Sequence, residues 1–169
     1  MHNKVVFRAA AALDELGLLT LRINFRGVGE STGEHDEGHG ERDDVRTALD
    51  YLVQEYPGLP VTLCGFSFGA RVGMEVGIED DRVRSLISIG TPVGKYDFSF
   101  LRQCRKTIVF VHGENDEFGT PEQLNGVIVQ MPPDVPIKLI VIPGADHFFN
   151  GHLDELKEAI ISSGVHFLV

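Results

Sequence analysis

Leu59-Pro60-Val61-Thr62-Leu63-Cys64, then Gly65-Phe66-Ser67-Phe68-Gly69, then Ala70-Arg71-Val72-Gly73-Met74-Glu75-Val76 is the stretch on which the fold turns. The first six residues read as a short buried strand, and the last seven as the start of a helix. Gly-x-Ser-x-Gly between strand and helix is the layout of a nucleophile elbow. So tight a turn calls for nearly side-chain-free positions at Gly65 and Gly69. It also calls for a strained Ser67 whose hydroxyl points out of the strand end. Five residues alone also fit a glycine-rich connection in any α/β protein, so the surrounding chain decides.

Outward from this stretch the chain alternates helix and strand. Residues 3–16 carry apolar positions at Val6, Ala9, Leu13 and Leu16, and Gly17 is placed as a stop. Leu18 to Phe25 reads as a strand. A polar loop, 26–42, precedes a helix opened by Asp43 and Asp44 and closed by Pro57-Gly58. Val83–Ile89, Thr107–His112 and Ile137–Ile142 read as further strands, with 90–104 irregular. Thr120-Pro121-Glu122-Gln123 has the form of a capping box, and a last helix covers about Leu153–Ser162. Apolar strands alternating with amphipathic helices predict an α/β three-layer sandwich: a mostly parallel sheet of about five strands with helices on both faces. The 169 residues are expected to form one domain.

In such a sheet, reactive groups gather at the carboxyl ends of the strands. Ser67 follows the strand at 59–64, Asp116 the strand at 107–112, and His147 the strand at 137–142, so all three are expected along one rim. A serine hydroxyl needs a base within hydrogen-bond reach. Histidine titrates in the right range, and a carboxylate can fix its tautomer and stabilise the imidazolium. Glu114, Glu117 and Asp146 are alternative acids. Asp116 is preferred for its place after the strand, and Asp146 sits too near His147 in sequence to orient it. His112 reads as a packed residue at a strand end.

Three further segments carry a resemblance. His112-Gly113-Glu114-Asn115-Asp116 resembles the acid loop of the α/β-hydrolase superfamily, and Gly144-Ala145-Asp146-His147 its histidine loop. Asn24-Phe25-Arg26-Gly27-Val28-Gly29-Glu30-Ser31 resembles its Arg-Gly-x-Gly-x-Ser turn, with Asn24 at a usually acidic position. With the elbow, these motifs occupy the order Ser…Asp…His expected of that superfamily. The chain looks closest to small, lidless bacterial hydrolase-like proteins related to dienelactone hydrolases, departing from the latter in its serine nucleophile. The resemblance implies a serine hydrolase acting on small-molecule carboxylic esters, with no cofactor. Ser67 would attack, His147 would shuttle the proton and Asp116 would orient it. The Phe68 N–H would meet the oxyanion, and Phe66, Arg26 and Gly27 would line the substrate site. A peptidase or acyl-peptide hydrolase with the same triad, or a non-catalytic binding protein, are the rival functions.

The resemblance also implies a gap. Related proteins carry a central strand before the first helix of this chain, between the strands matching 18–25 and 59–64. Its loop normally gives an oxyanion N–H. Two outcomes are open: the flanking strands close up and pair, which is preferred, or another chain supplies the strand and makes a homo-oligomer. The Arg26–Gly29 turn, or water, is the expected replacement donor.

Composition excludes other classes. A formal charge of −10 argues against nucleic acid. No apolar run spans a membrane and no signal-peptide pattern appears. Cys64 and Cys104 form no disulfide framework, so a cytoplasmic setting is expected. His35-Asp36-Glu37-Gly38-His39 is read as a solvated loop, with no metal expected.

Overall fold

A computed structural model describes residues 3–164. Four parallel strands form one sheet in sequential order: β1 (Val61–Phe66), β2 (Val83–Ile89), β3 (Thr107–Gly113) and β4 (Ile137–Ile142). Five α-helices accompany them among the described residues, α1 (Lys4–Glu15), α2 (His39–Glu55), α3 (Phe68–Glu79), α4 (Pro121–Ile128) and α5 (Leu153–Ser162), with a short 3-10 helix at Ser99–Gln103. The central strands explain the layering. Successive side chains of a strand point to opposite faces. Leu86, Ile108 and Phe110 accordingly pack with α2, α3 and α4, while Ile87, Ile89, Val109 and Val111 pack with α1 and α5. Both faces of β2 and β3 are covered, as the unbroken apolar runs require.

The sheet has four strands where five were expected, because residues 18–25 do not join it. Nor do they close up against β1, contrary to the preferred outcome. Both ends of the segment are tied to helices instead. At one end, Gly17 takes a left-handed φ of 78° and the N–H groups of Gly17 and Leu18 return to Asp14 and Leu13, a Schellman stop for α1. At the other end, Arg26 is held to Asp44 of α2 through its backbone N–H and its guanidinium. Between these anchors, 18–25 faces β1 across an open apolar groove of about 700 Å³. Its backbone groups reach water there, which is why the unpaired edge costs less than a buried one would. Leu19, Leu21 and Ile23 are left exposed in consequence.

Helix α2 also begins earlier than expected. Gly38 supplies a φ of 105° at its N-cap, and the Glu41 carboxylate accepts the Gly38 N–H at 2.8 Å, the reciprocal half of a capping box. A Cβ on Gly40 would stand where the Arg26 guanidinium lies, so a side chain there would have to move the arginine off Asp44. Glu41 is fully buried and also accepts from the Asp36 N–H at 2.9 Å and meets His35 Nδ1 at 2.7 Å. Burial pushes its carboxyl up, but the N–H groups of Asp36, Glu41 itself and Gly38, with His35 alongside, outweigh burial and bring it down from 4.5 to about 2. A carboxyl lowered in the folded state stabilises above its unfolded value and loses that contribution as pH falls through the folded one. Wild-type melting temperature therefore drops more steeply between pH 4.5 and 2 than that of Glu41→Gln, read by circular dichroism. Equal slopes would show that Glu41 carries no such contribution.

Candidate active site

The strand-to-helix turn after β1 sets the geometry. Ser67 has φ 53° and ψ −120°, a sparsely populated conformation for a residue with a side chain. Its N–H donates to the Ile89 carbonyl at 3.0 Å, so pairing with β2 holds the turn from one side. On the other side α3 closes down on Gly65. A Cβ there would stand 2.4 Å from the Gly69 carbonyl oxygen and 2.6 Å from Ala70 Cα, both backbone. Gly69 is different: a Cβ on it would meet only a Phe25 ring atom at 3.7 Å, an ordinary contact. The need for a bare position is therefore confined to Gly65. Gly65→Ala is expected to cost about 1–3 kcal/mol of stability, measured by urea denaturation, with Gly69→Ala close to neutral. The reverse order would contradict the packing.

Two loops bring the other groups to this turn. The acid loop after β3 and the histidine loop after β4 are stitched together by Asn115 N–H donating to Ala145 O at 2.9 Å and Glu114 N–H donating to Ile142 O at 3.0 Å. Gly113 permits the approach, since a Cβ there would lie 2.5 Å from Ala145 O. Asp116 and His147 are both buried. His147 Nδ1 lies 2.9 and 2.8 Å from the two Asp116 oxygens, and His147 Nε2 lies 2.8 Å from Ser67 Oγ. A carboxylate accepts, so Nδ1 carries the proton and Nε2 presents its lone pair to the serine hydroxyl.

The alternative acids have other tasks. Glu114 accepts the Gly144 N–H at 2.7 Å, and Asp146 accepts the Asn150 N–H at 3.0 Å, a bond that helps hold its carboxyl below its ordinary range. Glu117 accepts the backbone N–H of His147 at 3.2 Å, steadying the histidine loop. His112 is buried, and its Nε2–H donates to the Gly119 carbonyl at 2.7 Å, which shapes the acid loop.

Aromatic rings enclose the site. Phe66 is nearly buried, with its ring 5.1 Å from that of His147, and Phe118 stands edge-on to His147 at 4.3 Å. Phe118 was missed in the sequence, where nothing but its nearness to Asp116 marks it. Phe148 is half-exposed and 5.1 Å from His147, forming part of an apolar rim. The Phe68 N–H opens α3, and the first N–H groups of a helix have no partner within it. With the positive end of the helix behind it, that N–H suits an anion beside Ser67.

Three of the four amides in the Arg26–Gly29 turn are already engaged. The Arg26 N–H donates to Asp44 at 2.9 Å, the Gly27 N–H to Thr32 O at 3.2 Å and the Val28 N–H to Phe25 O at 3.1 Å. The guanidinium of Arg26 is likewise spent on Asp44, whose carboxyl it holds below the usual range. Arg26 and Gly27 thus help to build this loop. In the 35–39 segment, His35 is engaged with Glu41 and His39 with Arg42. No group of three or more potential metal ligands occurs among the described residues. Cys64 and Cys104 are free thiols, and no described helix is long and apolar enough to cross a membrane.

A family model for the alpha/beta hydrolase domain matches residues 1–159. The chain belongs to the α/β-hydrolase family. Among solved structures, an alpha-beta serine hydrolase homologue from Coxiella burnetii is 40% identical with a TM-score of 0.90, over 96% of this chain and 77% of that one. A lidless α/β serine hydrolase from Xanthomonas campestris is 35% identical with a TM-score of 0.90, over 99% of this chain and 75% of that one. A protein of Rickettsia prowazekii is 38% identical over 167 residues, which are 95% of this chain and 70% of that protein.

Proposed function

We propose that this α/β-hydrolase cleaves small carboxylic esters through a covalent acyl-enzyme on Ser67. The observation that carries the reading is the continuous relay from Asp116 through His147 to Ser67 Oγ, with His147 Nε2 at 2.8 Å from the hydroxyl. His147 takes the serine proton as Oγ attacks the acyl carbon, and Asp116 steadies the imidazolium. The oxyanion meets the Phe68 N–H at the start of α3. The alkoxide then leaves with the proton from His147, and water repeats the sequence to release the acid. The likeness to serine hydrolases of 35–40% identity supports the reaction class. The open aromatic rim of Phe66, Phe118 and Phe148 supports short acyl groups.

The Phe68 N–H is expected to matter to the rate, since an oxyanion donor is typically worth about 10²–10³ in turnover. Rapid-quench mass spectrometry with p-nitrophenyl acetate tests the mechanism. A transient species heavier by one acetyl group, located on Ser67, is the expected result. Ester turnover in which no acyl-protein forms would exclude it.

A further inference from the structure

The geometry points to Lys95 as an anion subsite on the rim of the Ser67 site, which selects half-esters whose short acyl chain ends in a free carboxylate. This names a substrate class for the ester-hydrolase reading above and rests on it. The Lys95 ammonium stands 3.4 Å over the centre of the Phe118 ring, and Phe118 lies edge-on to His147 at 4.3 Å. Together these distances keep the ammonium within about 8 Å of the imidazole, one Debye length at physiological salt.

Lys95 is exposed, but its backbone is fixed. The N–H groups of Lys95 and Tyr96 both donate to Pro92 O, at 3.0 and 3.3 Å, which makes 92–96 a turn. The Gly94 N–H donates to Phe118 O at 2.8 Å and ties that turn to the acid loop. The fit is close. A Cβ on Gly94 would lie 2.8 Å from the Phe118 carbonyl oxygen, and one on Gly119 2.6 Å from a Val93 methyl. The side chain therefore starts from a set point beside the catalytic histidine, and only its flexible stem moves to meet a ligand. Phe66, Phe118 and Phe148 form the apolar rim that suits a short acyl chain. Methylenes passing along that rim bring a terminal carboxylate to the ammonium on Phe118.

The other basic groups around the site already have anionic partners. Arg71 lies over Tyr96 at 4.7 Å and His35 against Phe68 at 5.1 Å. Arg71 is paired with Glu75 at 3.0 Å and His35 with Glu41 at 2.7 Å. The acids close to Lys95 and Phe118 in the chain are engaged too. Asp97 accepts from the N–H and the hydroxyl of Ser99 at 2.9 and 2.6 Å, and Glu117 accepts the His147 N–H. Among the described residues the Lys95 ammonium meets only the face of Phe118. A ring face holds an exposed cation weakly, whereas a carboxylate offers it a charge-assisted hydrogen bond. The formal charge of −10 repels anions from a distance, so recognition of one falls to a local cation.

NMR titration of Ser67→Ala with monomethyl glutarate and with neutral methyl pentanoate tests the subsite without relying on hydrolysis. The anionic ester is expected to bind about tenfold tighter, and that advantage to vanish when Lys95→Gln is added. Lys95→Arg keeps the charge and is expected to retain most of it, while about 1 M salt erodes it. With Ser67 in place, the kcat/KM ratio of anionic to neutral ester is expected to fall about tenfold in Lys95→Gln, through KM. Acetoxyacetate, whose carboxylate lies on the alcohol half, is expected to show no dependence on Lys95. Equal binding of the two esters, an anion preference that survives Lys95→Gln, or a dependence on Lys95 confined to acetoxyacetate each overturns the proposal. A binding preference that depends on Lys95 in a chain that hydrolyses neither ester would remove the ester-hydrolase reading and leave the anion subsite standing.

Discussion

Ser67→Ala is expected to lower kcat on p-nitrophenyl esters by about 10⁴–10⁶, with KM little changed. His147→Ala is expected to fall in the same range, and the double variant no lower than either alone. Nucleophile and base act as one unit, so removing either abolishes the covalent route. The fold should not suffer. Among the described residues Ser67 Oγ hydrogen-bonds only His147 Nε2, at 2.8 Å, and the backbone N–H to Ile89 survives the substitution. The φ of 53° at this position is a strain of about 1–3 kcal/mol for any residue with a side chain. Ser67→Gly should therefore be inactive yet more stable than Ser67→Ala, a trade between stability and function set by the turn itself. Melting temperature and steady-state kinetics on the three variants separate the two effects. An active Ser67→Ala would remove the serine from the mechanism.

Asp116→Asn is the second large effect, expected at about 10⁴ in kcat. The carboxylate faces His147 Nδ1 with both oxygens, at 2.9 and 2.8 Å. An asparagine of the same shape offers an NH₂ to that nitrogen, which favours the proton on Nε2. The lone pair then points at residue 116 and no base faces Ser67. Structure should be kept, because one side-chain oxygen can still accept the Phe118 N–H, now bonded at 2.9 Å. Asp146→Asn and Glu117→Gln serve as comparisons. Each has a structural hydrogen bond to lose and none to a ring nitrogen of His147, so each should cost less than about tenfold. A loss below tenfold in Asp116→Asn, with a large one in either comparison, would reassign the acid.

Much of the site was legible because its signals are local. The sequence around Gly65, with β-branched residues before it and an amphipathic run after it, needs no distant partner to be read. The capping box of Thr120 and Gln123 is local in the same way, and both of its bonds form. Residues 18–25 were misread because their alternation is that of a strand, yet strand formation needs a neighbour, and none pairs with them among the described residues. Helix α2 was misread at its start because Gly38 and Gly40 suit a loop. Gly38 serves there by its φ of 105°, and a side chain at position 40 would have to displace the Arg26 guanidinium. The part of Glu117 in holding the His147 N–H depends on two loops 30 residues apart, which no local pattern records. Arg26 and Gly27 mark a turn correctly, but motif spacing says nothing of which partners claim their N–H groups.

Labelling with a fluorophosphonate tests the nucleophile most directly, since phosphonylation needs an activated serine and no particular acyl group. The wild-type chain is expected to gain one phosphonyl group, mapped by peptide sequencing to Ser67, with labelling slowed sharply in His147→Ala and absent in Ser67→Ala. Equal labelling of wild type and Ser67→Ala, or no labelling of the folded wild type, would contradict a serine hydrolase at this turn.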